Sequence, residues 1–163
     1  MTAHAQRYLD YCHNRRKPQL IIDTDPGQDD AAAILMALGL EKMGLLEVLA
    51  LTTVAGNVSL HNTSKNACVI ADWAGRSDLG VYGGAEKPLI KTLITAQHVH
   101  GHNGLGGMQL HKPKTPLKVL HAVAYMVDLL THAEPYSITI CAVGPLTNIA
   151  QMLSLAPEAA RGI

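Results

Sequence analysis

The sequence predicts an α/β fold, a mostly parallel open sheet with helices on both faces. Three observations predict it. Short apolar runs of strand length alternate with longer helical patterns along most of the chain. Gly, Pro and Asn punctuate the joints between them. And 48% of the 163 residues are apolar, enough for one core at single-domain length. Phe is absent and aromatics make up only 4%, so that core must be built from Leu, Ile, Val, Ala and Met.

Residues 1–18 read as a flexible leader. They lack the apolar stretch of a secretory signal, and Arg15-Arg16-Lys17 reads as a solvated basic patch. Residues 19–163 form the folded part. QLIIDT (19–24) is a short apolar run ending in acids and a Pro-Gly turn, hence a buried strand. Residues 29–40 are helix formers, apolar nearly all round, opened by acids and followed by glycines. A second strand covers 47–54 and a second helix 60–75, with Ala67, Ile70, Ala71 and Ala74 on one face. A brief strand at 80–82 precedes Gly83-Gly84. Residues 84–116 lack periodicity and are rich in Gly, Pro and His; a segment that long points to a functional loop or an insertion. A third helix is expected over 117–132, with Leu120, Val123, Ala124, Val127 and Leu130 inward. A strand at 136–143 and a helix at 146–155, opened by Pro145, complete the series. In such sheets ligands bind beyond the carboxyl ends of the strands.

Charge narrows the function. Thirteen basic residues balance thirteen acidic ones, which argues against nucleic acid or an anionic membrane as partner. The longest apolar run, 31–38, is far short of the roughly 18–20 residues of a membrane span. Cys12, Cys68 and Cys141 are odd in number and widely spaced, as expected of reduced thiols in a cytoplasmic protein.

The acids are not evenly spread. Asp23-Thr24-Asp25-Pro26-Gly27-Gln28-Asp29-Asp30 puts four carboxylates at the end of the first strand. Packed in a turn they repel one another and raise one another's pKa values, and a hard cation with oxygen ligands relieves that. Asp25 and Asp30 could grip one ion from the two sides of the turn. Helix capping by Asp29 and Asp30 would explain two acids but not four. An EF-hand loop starting at Asp23 fails, because its sixth and twelfth positions hold Gln28 and Ile34. A D-x-D phosphatase remains open but wants Thr or Val where Gly27 stands. His98, His100 and His102 alternate and could share a strand face, but no fourth zinc ligand is evident and the flanking glycines indicate a loop.

The DTDPGQDDA segment (23–31) resembles the N-terminal signature of the nucleoside hydrolases, the inosine-uridine preferring nucleoside N-ribohydrolases. The resemblance recurs in order at TTVAGN (52–57), YGGAEKPL (82–89), VHGHNGLG (99–106) and VGPLTNIA (143–150). It implies a Rossmann-like sheet of the nucleoside hydrolase type. It also implies hydrolysis of ribonucleosides to ribose and free base, in nucleoside salvage or catabolism, with Ca2+ as cofactor. By that resemblance Asp25 is a calcium ligand and the general base, and Asp30 a second ligand. The Val143 carbonyl is a third ligand. Asp29 and Asn57 hold ribose hydroxyls, and His100 lies on a loop near the substrate.

Members of that family are much longer. Their second half brings a further Asp to the calcium, other ribose contacts and the group that protonates the leaving base. The expectation is therefore a truncated domain, weakly active or inactive alone. Alternatives are a non-catalytic fragment that binds metal or ribose, or the D-x-D phosphatase. An incomplete sheet would leave an open edge, so a homo-oligomer or other self-association is expected.

Overall fold

The computed structural model describes residues 17–163. The predicted leader, Cys12 and Arg15-Arg16 therefore lie outside the described residues, apart from Lys17 and Pro18. The chain runs β1 (Gln19–Thr24), α1 (Gln28–Lys42), β2 (Glu47–Thr53), α2 (Leu60–Trp73), β3 (Gly80–Gly83), α3 (Gln97–His100), β4 (Leu117–Lys118), α4 (Ala122–His132), β5 (Ile138–Ala142) and α5 (Thr147–Leu155). A 3-10 turn at Pro157–Arg161 follows. The strand order is β4-β3-β2-β1-β5 and every pairing is parallel. The predicted α/β sheet is thus the observed one.

Alternation along β1 divides the core in two. Ile22 packs with Ile34 and Leu38 of α1 and Ile70 of α2 on one face. Ile21 packs with Met126 and Leu130 of α4 and Met152 of α5 on the other. Both isoleucines are essentially inaccessible, and each such burial stabilises by about 2 kcal/mol. Helix α1 buries Ala31, Ile34, Ala37 and Leu38 but leaves Leu35 and Met36 exposed, so its all-round apolarity conceals a one-sided helix.

The expected helix over 117–132 is corrected. Leu117–Lys118 instead pairs with Val81 and Tyr82 as a short edge strand, and the helix starts at Ala122. His121 sets that start, its Nδ1 accepting from the Val123 N–H at 3.2 Å, a side-chain cap. The shifted start changes the buried face to Ala122, Val123, Met126 and Leu130, leaving Leu120 and Ala124 exposed. Strand β5 is also shorter than expected. Val143 lies just past it, although its N–H still donates to the Asp23 carbonyl at 2.9 Å.

Candidate active site

Register brings the candidate site residues to one rim. Asp23 of β1 sits opposite Thr52 of β2 and Ala142 of β5, so three strands deliver their carboxyl ends side by side. The acidic turn leaves this rim and enters α1.

Asp25 occupies a slot between two glycines. A Cβ on Gly56 would run into Asp25 Oδ2, and one on Gly144 would lie 2.9 Å from Asp25 Oδ1. Only glycine at both positions lets the carboxylate seat there, where the residue is 5% exposed. Asp30, also 5% exposed, is held by three donors. Thr24 Oγ1 gives to Oδ1 at 2.7 Å, while the Gly27 N–H and Asn57 Nδ2 give to Oδ2 at 3.2 and 3.1 Å. Asp30 therefore does cap α1, as the simpler reading required, but its second oxygen is shared with Asn57.

Asn57 joins the two acids. Its backbone N–H donates to Asp25 Oδ2 at 2.6 Å, and Nδ2 also donates to the Asp25 carbonyl at 3.1 Å. Beneath them Asp23 is fully buried. Its Oδ1 accepts from Thr52 Oγ1 at 2.6 Å and Asn148 Nδ2 at 2.8 Å, and its Oδ2 has no protein partner. Asn148 also donates to the Thr53 carbonyl and accepts from the Ala85 N–H, tying β1, β2 and the segment after β3 to α5.

Burial pushes the Asp25 carboxyl up to about 6; the Asn57 N–H opposes this, and the charges of Asp30 and Asp29 add to it. Burial likewise pushes Asp23 up to about 6 against the hydrogen bonds of Asn148 and Thr52. Mutual repulsion, expected from the clustering, is therefore real at Asp25 but secondary to burial.

The remaining expected site residues stand around this core. Val143 follows β5 next to Asp23, with Gly144 N also bonded to the Asp23 carbonyl at 3.1 Å. The Asp29 side chain is 80% exposed, and its Oδ1 lies 3.9 Å from His100 Nδ1. His100 stands over the turn, accepting a long 3.4 Å contact from the Gln28 N–H. His98 and His102 are exposed, and the three histidines occupy a short helix and turn rather than a strand face. No group of three or more His, Cys, Asp or Glu is placed to hold a metal among the described residues. Asp25 and Asp30 offer carboxylate oxygen here, and Val143 ends its strand next to Asp23. That chemistry fits a hard cation such as calcium, and it supplies part of the roughly 6–8 oxygens calcium takes.

The model of the inosine-uridine preferring nucleoside hydrolase family matches residues 20–163. The chain belongs to that family. It is 41% identical over 141 residues to the inosine-uridine preferring nucleoside hydrolase of Crithidia fasciculata, covering 86% of this chain and 44% of that one. It is 49% identical over 140 residues to an uncharacterized protein of Schizosaccharomyces pombe, with the same coverage. Among solved structures, a plant nucleoside hydrolase superposes with a TM-score of 0.80 at 38% identity, covering 90% of this chain and 46% of that one. A purine-preferring ribonucleoside hydrolase from Gardnerella vaginalis gives the same TM-score at 30% identity, covering 89% and 46%. The chain thus spans less than half the length of these nucleoside hydrolases.

Sequence reasoning about this nucleoside hydrolase chain missed Asn66, Thr24 and Asp72. An Asn on the helix face shared with Ala67 and Ile70 was the available signal for Asn66, which is buried there with Thr63 and Ser64. No helix among the described residues is long and apolar enough to cross a membrane.

Proposed function

We propose that this chain carries the calcium- and ribose-binding part of a ribonucleoside hydrolase. The observation that carries the reading is Asn57, whose three hydrogen bonds bring Asp25 and Asp30 to one point on the strand-end rim. Cleaving an N-glycosidic bond passes through an oxocarbenium-like state, so the site must hold the ribose diol, deliver water and tolerate positive charge.

Asp25, Asp30 and the Val143 carbonyl are the groups that would hold calcium. When bound, calcium orients ribose hydroxyls and makes the attacking water more acidic. Asp25 takes the water's proton at Oδ1, because Oδ2 is committed to the Asn57 N–H. Without the cation that carboxyl, raised by burial to about 6, is still ionised near neutral pH. Asn57 Nδ2 is spent on Asp25 and Asp30, which leaves its Oδ1 to accept a ribose hydroxyl. Asp29, exposed at the mouth, accepts another. The clustered carboxylates supply a negative field for the growing positive charge. His100 closes over the turn.

Calorimetric titration with calcium, and then with ribose, tests this directly. Binding of both by the chain, lost in Asp25→Ala and Asp30→Ala, is the expected result. A wild-type chain that takes up no more calcium than the double variant would sink the reading. Inosine and uridine hydrolysis in calcium is expected to be weak for this chain alone, because its own oxygens fill only part of the coordination shell. Robust turnover lost in Asp25→Ala would show that the part suffices.

Self-association is a compatible second reading, favoured by β5. Among the described residues it is the last strand on its side of the sheet and carries no charge or proline, although the Tyr136 and Ile138 N–H groups at its start are taken by the Arg161 and Gly162 carbonyls. Sedimentation showing a clean monomer at high concentration would remove it.

A further inference from the structure

We propose that Asn66 is a positioning residue whose side-chain amide clamps the His100 loop onto the acidic turn. Asn66 lies on α2 and is 1% exposed. Its Nδ2 donates to the Pro26 carbonyl at 3.0 Å and to the Asn103 carbonyl at 2.7 Å. Both amide hydrogens are thus used, one on each segment. Among the described residues, no backbone hydrogen bond joins the turn at 25–28 to the loop at 101–108. The helix side chain therefore bridges them, beside the contact from the Gln28 N–H to His100 and a second bond from α2 to the loop, Asn62 Nδ2 to the His102 carbonyl at 3.3 Å.

The loop is tied within itself. Asn103 Oδ1 accepts from the Leu105 and Gly107 N–H groups at 3.0 Å each, and the Gly106 N–H returns to the His100 carbonyl at 2.8 Å. Leu105 plugs into the core at 5% exposure. Gly104, at φ +87°, faces the clamp: a Cβ there would lie 2.8 Å from Asn66 Nδ2 and 3.1 Å from the Pro26 carbonyl. A unit tied this way carries the His100 ring with it, against Gly27 and the Gln28 N–H. The bond from Asn66 to Asn103 is thus one of those that keep His100 against the turn. A buried amide is costly without partners, so a polar residue on this stripe is tolerated because of the bonds it makes.

The consequence for ligand binding rests on the reading that His100 faces the ribose; the clamp itself does not. Amide hydrogen exchange on the whole chain tests it with two variants, Asn66→Ala on the helix side and Gly104→Ala on the loop side. In both, exchange at 104–107 is expected to quicken by about tenfold, while β1 and β2 amides stay within about twofold. Unchanged loop exchange in both variants overturns the proposal. A uniform loss across the sheet also overturns it, since that marks a residue that only stabilises the fold. In Gly104→Ala, ribose affinity is expected to fall about tenfold with calcium affinity unchanged, a split that general destabilisation would not produce. A wild-type chain that binds no ribose defeats the functional reading alone, and loop exchange still decides the clamp.

Discussion

The backbone N–H of Asn57 meets Asp25 Oδ2 at 2.6 Å, although the two residues are 32 positions apart. The side-chain amide of Asn57 then spans from the Asp25 carbonyl to Asp30. Asn57→Ala keeps the first bond and removes the span. It is expected to cost about 1–3 kcal/mol, because two partly buried acceptors each lose a donor. Urea unfolding measures that cost. Calorimetry is expected to show weaker calcium binding, since Asp25 and Asp30 are no longer held together.

Gly56→Ala and Gly144→Ala each place a methyl group where the Asp25 carboxylate sits. Backbone and carboxylate must shift, at about 1–3 kcal/mol. Calcium binding is expected to fall in both, although neither removes an oxygen ligand. Wild-type affinity in either variant would mean that the Asp25 slot tolerates movement.

Acid dependence follows from Asp23. Its carboxyl rises from 3.8 to about 6 on folding, mainly through burial, so the folded chain holds this proton more tightly than the unfolded one. The contribution is complete below pH 3.8 and is lost as pH rises through about 6. In calcium-free buffer the urea midpoint is expected to fall across that window. Asp23→Asn should flatten part of the fall, with the remainder belonging to Asp25, which shifts in the same direction. An unchanged pH profile in Asp23→Asn would contradict this.

Asp72 anchors the other end of the long loop. Burial works against its ionised form, but donors from Thr115, Lys114, His111 and Ser77 hold its carboxyl well below the usual range. Asp72→Ala is expected to cost about 2 kcal/mol through those lost charge-assisted bonds. It should also change the emission of Trp73, the chain's single tryptophan, whose ring lies 6.5 Å from that of His111.

Much of the fold was legible in the chain itself. Strands β1, β2, β3 and β5 and helices α1, α2 and α5 fall close to where apolar runs and periodicity put them, and the central β1 and β2 bury most of their residues. The first turns of the expected 117–132 helix were not legible. Leu117 and Lys118 have ordinary helix-forming side chains, and their strand identity comes from pairing with Val81 and Tyr82. The histidine alternation misled for a related reason: spacing of two describes a strand face only where a ladder exists, and none forms there.

For the site, the sequence by itself determined which polar groups are gathered. Four acids fall in one turn, with Asn57 and Gly144 at other strand ends, all on the carboxyl rim. Only the tertiary structure shows what surrounds each acid. Asp25, Asp30 and Asp23 carry the same group and differ in what surrounds it. Asp25 sits between two glycines, Asp30 is held by Thr24, Gly27 and Asn57, and Asp23 is sealed beneath with one oxygen unpartnered. Desolvation and hydrogen bonding depend on neighbours brought from far along the chain, and local sequence does not contain them.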